Sequence, residues 1–273
     1  MIQLPTHIQP PQNILDKLAE YQAEITGTFA QKQALVKAKT IPGFSSRNKK
    51  GNLVFDAVKA SLTQMCAGAK RCAYCEDAPA DEVEHIYPKD LYPNKCFDWH
   101  NYLYACGTCN SPKSNQFAIF RADDGSFLAL NGENEPPNGV SVLINPRIEN
   151  AMNFCRLNFL TFHFEIIAEK NSHEYLRADY TFNTVLRLNT QREYLLQARK
   201  NAYSMYKARL GYFISQKDHA PQSQLAKMVE GLKKEAHLTV WKEIQKSYHE
   251  NRLLQIDKDF YDLFQQFPEA LNW

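Results

Sequence analysis

Cys72-Ala73-Tyr74-Cys75 and, further on, Cys106-Gly107-Thr108-Cys109 decide how this chain reads. Two Cys-x-x-Cys pairs supply four thiolates, the donor set of a closed tetrahedral Zn²⁺ site. Four protein sulfurs leave no open coordination position, so the ion is structural rather than catalytic. The gap between the pairs is 30 residues, longer than in a simple zinc ribbon, so something is inserted between the knuckles. A structural Zn²⁺ contributes roughly 10–16 kcal/mol of apparent binding free energy, enough to hold a segment too small for its own core. Cys66, Cys96 and Cys155 read as free thiols in packing positions, with Cys66 close enough to the first knuckle to be a spare ligand.

Outward from the knuckles, the composition is that of a globular protein. Of 273 residues 44% are hydrophobic and 23% charged, which excludes wholesale disorder and fibrous repeats. The net charge of +2 conceals a pattern. Residues 1–71 hold ten basic and four acidic side chains, whereas residues 72–124 hold four basic and nine acidic ones, with five of the seven cysteines. An acidic, cysteine-rich block points to cations. The first residues lack a basic n-region followed by an apolar h-region, and no apolar run approaches the ~18 residues of a membrane span. The expectation is a soluble cytoplasmic protein, without a membrane partner, whose cysteines bind metal rather than form disulfides.

Periodicity predicts helix over residues 11–39 and again over 52–67, joined by a basic, Gly- and Ser-bearing loop at 43–51. Val83 to Tyr87 reads as a strand stopped by Pro88, Trp99 to Tyr104 as a helical turn, and Asn110 to Phe117 as a short helix. Strands follow at Phe127–Leu130, Val140–Ile144 and Phe159–Ile167. A long helix is expected over 190–216, with Thr190 and Glu193 as its capping box. Its Arg192, Arg199, Lys200 and Lys207 read as a solvated face, and Leu143 to Arg147 as a strand and a structural turn, with aiming at substrate the lesser alternative for Arg147. The fold class is therefore α+β, mostly helical. It divides into an N-terminal helical segment (1–69), a zinc-held core (70–121) and a mixed, then helical, C-terminal region (122–273).

The insert carries the chemistry. In order it presents Glu84-His85-Ile86-Tyr87-Pro88, then Trp99-His100-Asn101-Tyr102-Leu103, then Asn110 directly after the last cysteine, and Lys113. With Cys72, Cys75, Cys106 and Cys109, these nine ordered positions resemble the HNH, or ββα-metal, endonucleases. The resemblance covers about residues 70–120. It implies a zinc-stabilised ββα-metal module that hydrolyses DNA. His85 would be the general base, Glu84 and Asn110 the ligands of a catalytic Mg²⁺ or Mn²⁺, and Asn101 a support for the loop and the His85 ring. Lys113, one helical turn beyond Asn110, would reach a phosphate. The chemistry agrees: neutral imidazole accepts a proton near pH 7, and hard cations prefer oxygen ligands. Two departures stand out. The metal-binding acid is Glu rather than Asp, and Asn110 stands where His is common. Neighbours on a regular strand also face opposite sides, so Glu84 and His85 can share a site only at a bent strand end.

The wider order, including Phe97-Asp98-Trp99, Cys109-Asn110-Ser111, Ile144-Asn145-Pro146-Arg147 and the basic helical tail, is similar to the PtuB-like HNH nucleases of Septu-type antiphage defence. That resemblance implies double-stranded DNA as substrate and a PtuA-like ATPase as protein partner, in some systems together with a retron. The residues also permit a catalytically silent, zinc-stabilised nucleic-acid-binding or protein-interaction module.

Overall fold

In the computed structural model, which describes residues 1–273, the single helix expected over 11–39 is two: α1 (Gln12–Ala23) and α2 (Phe29–Lys37). Gly27, at φ +100°, breaks the run, and Thr28 restarts it with a capping box to Gln31. A short helix α3 (Phe44–Arg47) occupies the basic loop, and α4 (Leu53–Met65) begins on Asn52, whose side chain accepts from Val54 N and Phe55 N. Val54, Phe55, Val58, Leu62 and Met65 recur at helical spacing and are all buried, as their periodicity predicts. Each such side chain contributes about 1.5–3 kcal/mol by leaving water.

Residues 70–121 contain two antiparallel strands, β1 (Glu82–His85) and β2 (Tyr102–Ala105), followed at once by α5 (Gly107–Lys113). The register sets Glu84 opposite Leu103 and His85 opposite Tyr102. Two expectations are corrected here. Only Trp99–Asn101 is a helical turn, and the next four residues form β2, a strand buried on both faces and therefore without alternation. The helix placed at Asn110–Phe117 starts at Gly107 and ends at Lys113, because Cys106 and Cys109 must stand one turn apart to face one another.

Beyond the core, β3 (Ala118–Arg121), β4 (Phe127–Ala129) and β5 (Gly139–Ser141) make a sheet in the order β4-β3-β5, and β6 (Cys155–Leu157) pairs with β7 (Phe164–Ile166). Then come α6 (His173–Asp179), a π-helical turn at Tyr180–Val185, α7 (Glu193–Gln216), α8 (Gln222–Lys233), α9 (Leu238–His249), α10 (Arg252–Ile256) and α11 (Lys258–Gln266). α7 starts at Glu193 with no side-chain cap, so the Thr190 capping box is not made. Its inner stripe includes Leu195, Ala202, Tyr206 and Leu210, and Tyr206 stacks on Trp241 of α9 at 5.2 Å. The architecture is α+β, about half helical, with three small sheets. One continuous apolar core joins residues of all three sequence segments, from Phe55 through Leu103 to Tyr206 and Phe264. No helix is long and apolar enough to cross a membrane.

Candidate functional site

The sulfur cluster is built from two local turns. Cys72 N bonds Ala78 O, Glu76 N bonds Cys72 O, and Ala73 N bonds Tyr104 O, which ties the first knuckle to β2. Cys106 and Cys109 come from the first turn of α5. All four cysteines are buried, and their sulfurs lie within 4.8 Å of one another. Cys75 Sγ and Cys106 Sγ are 3.8 Å apart. That is far too long for a disulfide. It is the separation of two sulfurs each about 2.3 Å from a tetrahedral ion, about 3.8 Å, so the donor set fits Zn²⁺. Hydrogen bonds from the neighbouring thiols hold Cys75 well below the usual thiol range. Cys66, Cys96 and Cys155 stand outside the cluster as free thiols.

The long helix reaches this cluster in a way its sequence did not announce. Arg192, only 7% exposed, points Nη1 at Cys109 Sγ over 3.2 Å and also bonds Leu186 O and the Tyr194 hydroxyl. Arg199 is buried too, donating to Phe162 O and Leu188 O. These two arginines are internal cations rather than a solvated face. Unpaired sulfur charge and orphaned loop carbonyls draw them inward. Arg147 is likewise turned in, stacked 4.7 Å over Trp99 and bonded to Tyr102 O.

His85 closes β1. Its ring is 6% exposed, wedged edge-on between Phe44 of α3 at 4.5 Å and Tyr102 at 5.2 Å. Nε2 lies 2.9 Å from Cys96 O, a carbonyl that also accepts from Tyr102 OH. A carbonyl can only accept, so Nε2 carries the proton and Nδ1 keeps the lone pair. Burial, assisted by Lys89 and Lys113, lowers the His85 pKa to about 3, so the imidazole is neutral across the physiological range.

Glu84 and Lys113 form a buried pair. Glu84 Oε1 accepts from Lys113 Nζ at 2.5 Å and from Tyr74 OH at 3.3 Å, while Lys113 Nζ also donates to His85 O. Burial raises the Glu84 pKa, and Lys113 opposes the shift. Lys113 is 0% exposed, so the reach to a phosphate expected of it is not available. A desolvated ammonium needs an anion beside it, and Glu84 is that anion. Lys113→Met is expected to cost about 3–5 kcal/mol of stability, because it strands a buried carboxylate. Adding Glu84→Gln should recover most of that loss. Urea denaturation of the single and double variants checks this, and an unchanged midpoint for Lys113→Met would contradict it.

Asn110 Nδ2 donates to Glu82 Oε2 at 2.7 Å, leaving Oδ1 without a protein partner. Glu82 stands two residues before Glu84 on β1 and so shares its face, the signal by which the sequence could have pointed to it. Asn101 is buried in its 3₁₀ turn. Its side chain accepts from Tyr87 N and donates to Tyr87 O and Lys95 O. It braces the loop as expected, but the His85 ring is held by the Cys96 carbonyl instead. No side-chain pattern marks a carbonyl, so that contact was invisible beforehand.

His85, Glu84, Glu82 and Asn110 line one cavity of about 540 Å³ at the end of β1. The strand ends at His85, and the cavity wraps that end, so neighbouring side chains of opposite facing both border it. Asp81 and Asp90 add carboxylates, and Lys59 and Lys89 add ammonium groups. Carboxylate and amide oxygens with free lone pairs suit a hard divalent cation. The carboxylates are not gathered as the cysteines are, which form the one group of three or more acidic, His or Cys ligands within 4.8 Å.

No protein-family model matches this chain, and no solved structure matches it. The chain is similar to the Septu protein PtuB of Bacillus thuringiensis, with 30% identity over 112 residues, a stretch that spans 39% of this chain and 36% of that protein.

Proposed function

We propose that this protein is a metal-dependent endonuclease that hydrolyses DNA phosphodiester bonds and serves as an effector of bacterial antiphage defence. The observation that carries this reading is His85: an imidazole kept neutral, its Nε2 proton fixed on Cys96 O, bordering an oxygen-lined cavity. In this role Nδ1 takes a proton from a water molecule whose oxygen attacks phosphorus, and the bond to the leaving oxygen breaks. Lys59 and Lys89 attract the phosphate to the cavity mouth. Glu84 and Asn110 Oδ1 would hold Mg²⁺ or Mn²⁺. Such an ion, when bound, neutralises charge on the scissile phosphate and leaving oxygen. The similarity to PtuB supports the defence role. A cytoplasmic setting, double-stranded DNA as substrate, and a PtuA-like ATPase that docks outside residues 70–121 and restrains cutting complete the proposal.

One feature favours a second reading, a silent zinc-stabilised binding module: Glu84 is already neutralised by Lys113. Nicking of supercoiled plasmid by the zinc-loaded chain, with and without Mg²⁺ or Mn²⁺, alone and with a partner ATPase, separates the two. Metal-dependent nicking supports the nuclease. DNA retention with no cleavage under any metal or partner supports the silent module.

A further inference from the structure

A second cavity, of about 320 Å³, lies on the far side of the turn that follows His85. Pro88, Lys89 and Asp90 of that turn border the first cavity, whereas Tyr87, Leu91 and Tyr92 border the second. Phe29 of α2 joins Tyr87 and Tyr92 in its wall, and Lys32 and Lys95 bring ammonium groups to it. The tyrosine rings meet edge-to-face at 5.1 Å, and Lys95 Nζ stands 4.9 Å from the centre of the Tyr87 ring.

Two features set this cavity apart from an ordinary surface dimple. Nearby Lys37 and Lys89 are both paired with Asp90, but Lys32 and Lys95 have no carboxylate partner, and the one acid on the rim is Glu135. The walls are also held in advance. The three hydrogen bonds of the Asn101 side chain all end on the backbone of Tyr87 or Lys95. The same Asn101 that secures the exit of the His85 strand therefore also fixes this second cavity.

Flat aromatic walls with unneutralised ammonium groups suit a ligand that is planar, aromatic and anionic. We propose that this cavity binds one nucleoside phosphate unit, its base against Tyr92 and Phe29 and its phosphate near Lys32 and Lys95. Resting on the nuclease reading above, the unit is a nucleotide of the substrate strand next to the one at His85. A base still paired in a duplex cannot enter so small a recess. The preferred substrate therefore carries an unpaired nucleotide beside the cut, as in a flap, a bubble or a single strand. A free mononucleotide shares this chemistry and is the other source to distinguish.

The test is fluorescence anisotropy on the full, zinc-loaded chain without added Mg²⁺ or Mn²⁺. The probes are a labelled twelve-nucleotide single strand, the blunt duplex of the same sequence, and a fluorescent adenosine monophosphate. Stacking on one aromatic residue is worth about 1–3 kcal/mol per base, so Tyr92→Ala should weaken single-strand binding about tenfold. Tyr92→Phe should restore it. Lys95→Met, a change at a side chain outside the core, should also weaken it, while duplex binding moves less than twofold. Mononucleotide binding with the same sensitivities, and no single-strand binding, would support the pocket but assign it to a free nucleotide. Unchanged single-strand and mononucleotide binding in Tyr92→Ala and Lys95→Met, or binding of neither probe by the parent chain, would overturn the proposal. Because no cleavage is read, the result stands whether or not the chain cuts DNA. A cutting enzyme indifferent to both substitutions would sink this inference alone.

Discussion

His85→Ala should lower the initial rate of plasmid nicking in Mg²⁺ by about 10²–10⁴-fold, the usual contribution of a positioned general base. That is about 3–5 kcal/mol of barrier. The reasoning is geometric before it is electrostatic. Cys96 O claims the Nε2 proton, and Phe44 and Tyr102 stop the ring from turning, so Nδ1 has one orientation. His85→Gln is the companion variant: its amide nitrogen falls near the position of Nε2 and can still donate to Cys96 O, but it has no basic nitrogen, and it should lose as much. Zinc content and melting temperature of both variants report whether the fold survives. The pH profile carries the sign. Burial lowers the His85 pKa to about 3, so its basic form persists well below pH 6. Cleavage should therefore show no acid-side loss near the ordinary histidine value of about 6.5. Equal nicking by parent and His85→Ala would remove His85 from the mechanism.

Removing the zinc should have the largest effect of all. A structural site of this kind is worth roughly 10–16 kcal/mol, against a net stability of about 5–15 kcal/mol for a typical protein. A zinc ion held by the four cysteines should therefore not be lost while the rest stays native. The purified chain should contain one zinc per molecule by elemental analysis, and Cys109→Ser should contain far less. Stripping with a strong chelator, or Cys109→Ser, should abolish cooperative melting and the near-ultraviolet signal of buried Trp99, which lies between the knuckles. Cys66→Ser, outside the sulfur cluster, should change neither. A chelated protein that melts like the parent would mean that packing alone holds residues 70–121.

How much could be read in advance follows the range of the forces involved. The knuckles, the strand before Pro88, the α4 stripe and the strand at Phe127 were legible because each is a pattern within a few residues. β3 was missed because Ala118, Ile119 and Phe120 are all buried and do not alternate. The capping box at Thr190 failed because α7 starts where Arg192 can meet Cys109, a partner 83 positions away. Lys113 looked like a phosphate contact because helical spacing gives its turn but not its surroundings.

The chain's own order of residues was sufficient to establish that four sulfurs converge and that an acid, an imidazole and two amides are strung between and just after them. Ligand spacing and side-chain chemistry are local properties, carried by neighbours in the chain. Folding in three dimensions decided the rest: that Lys113 neutralises Glu84, that Asn110 leans on Glu82, that Cys96 O selects the tautomer of His85, and that Arg192 belongs to the sulfur cluster. Three of these are desolvated polar groups finding a partner, and the fourth, Asn110 on Glu82, is half-buried at the cavity wall. Which partner is within reach depends on what packs beside it, and no stretch of sequence records that.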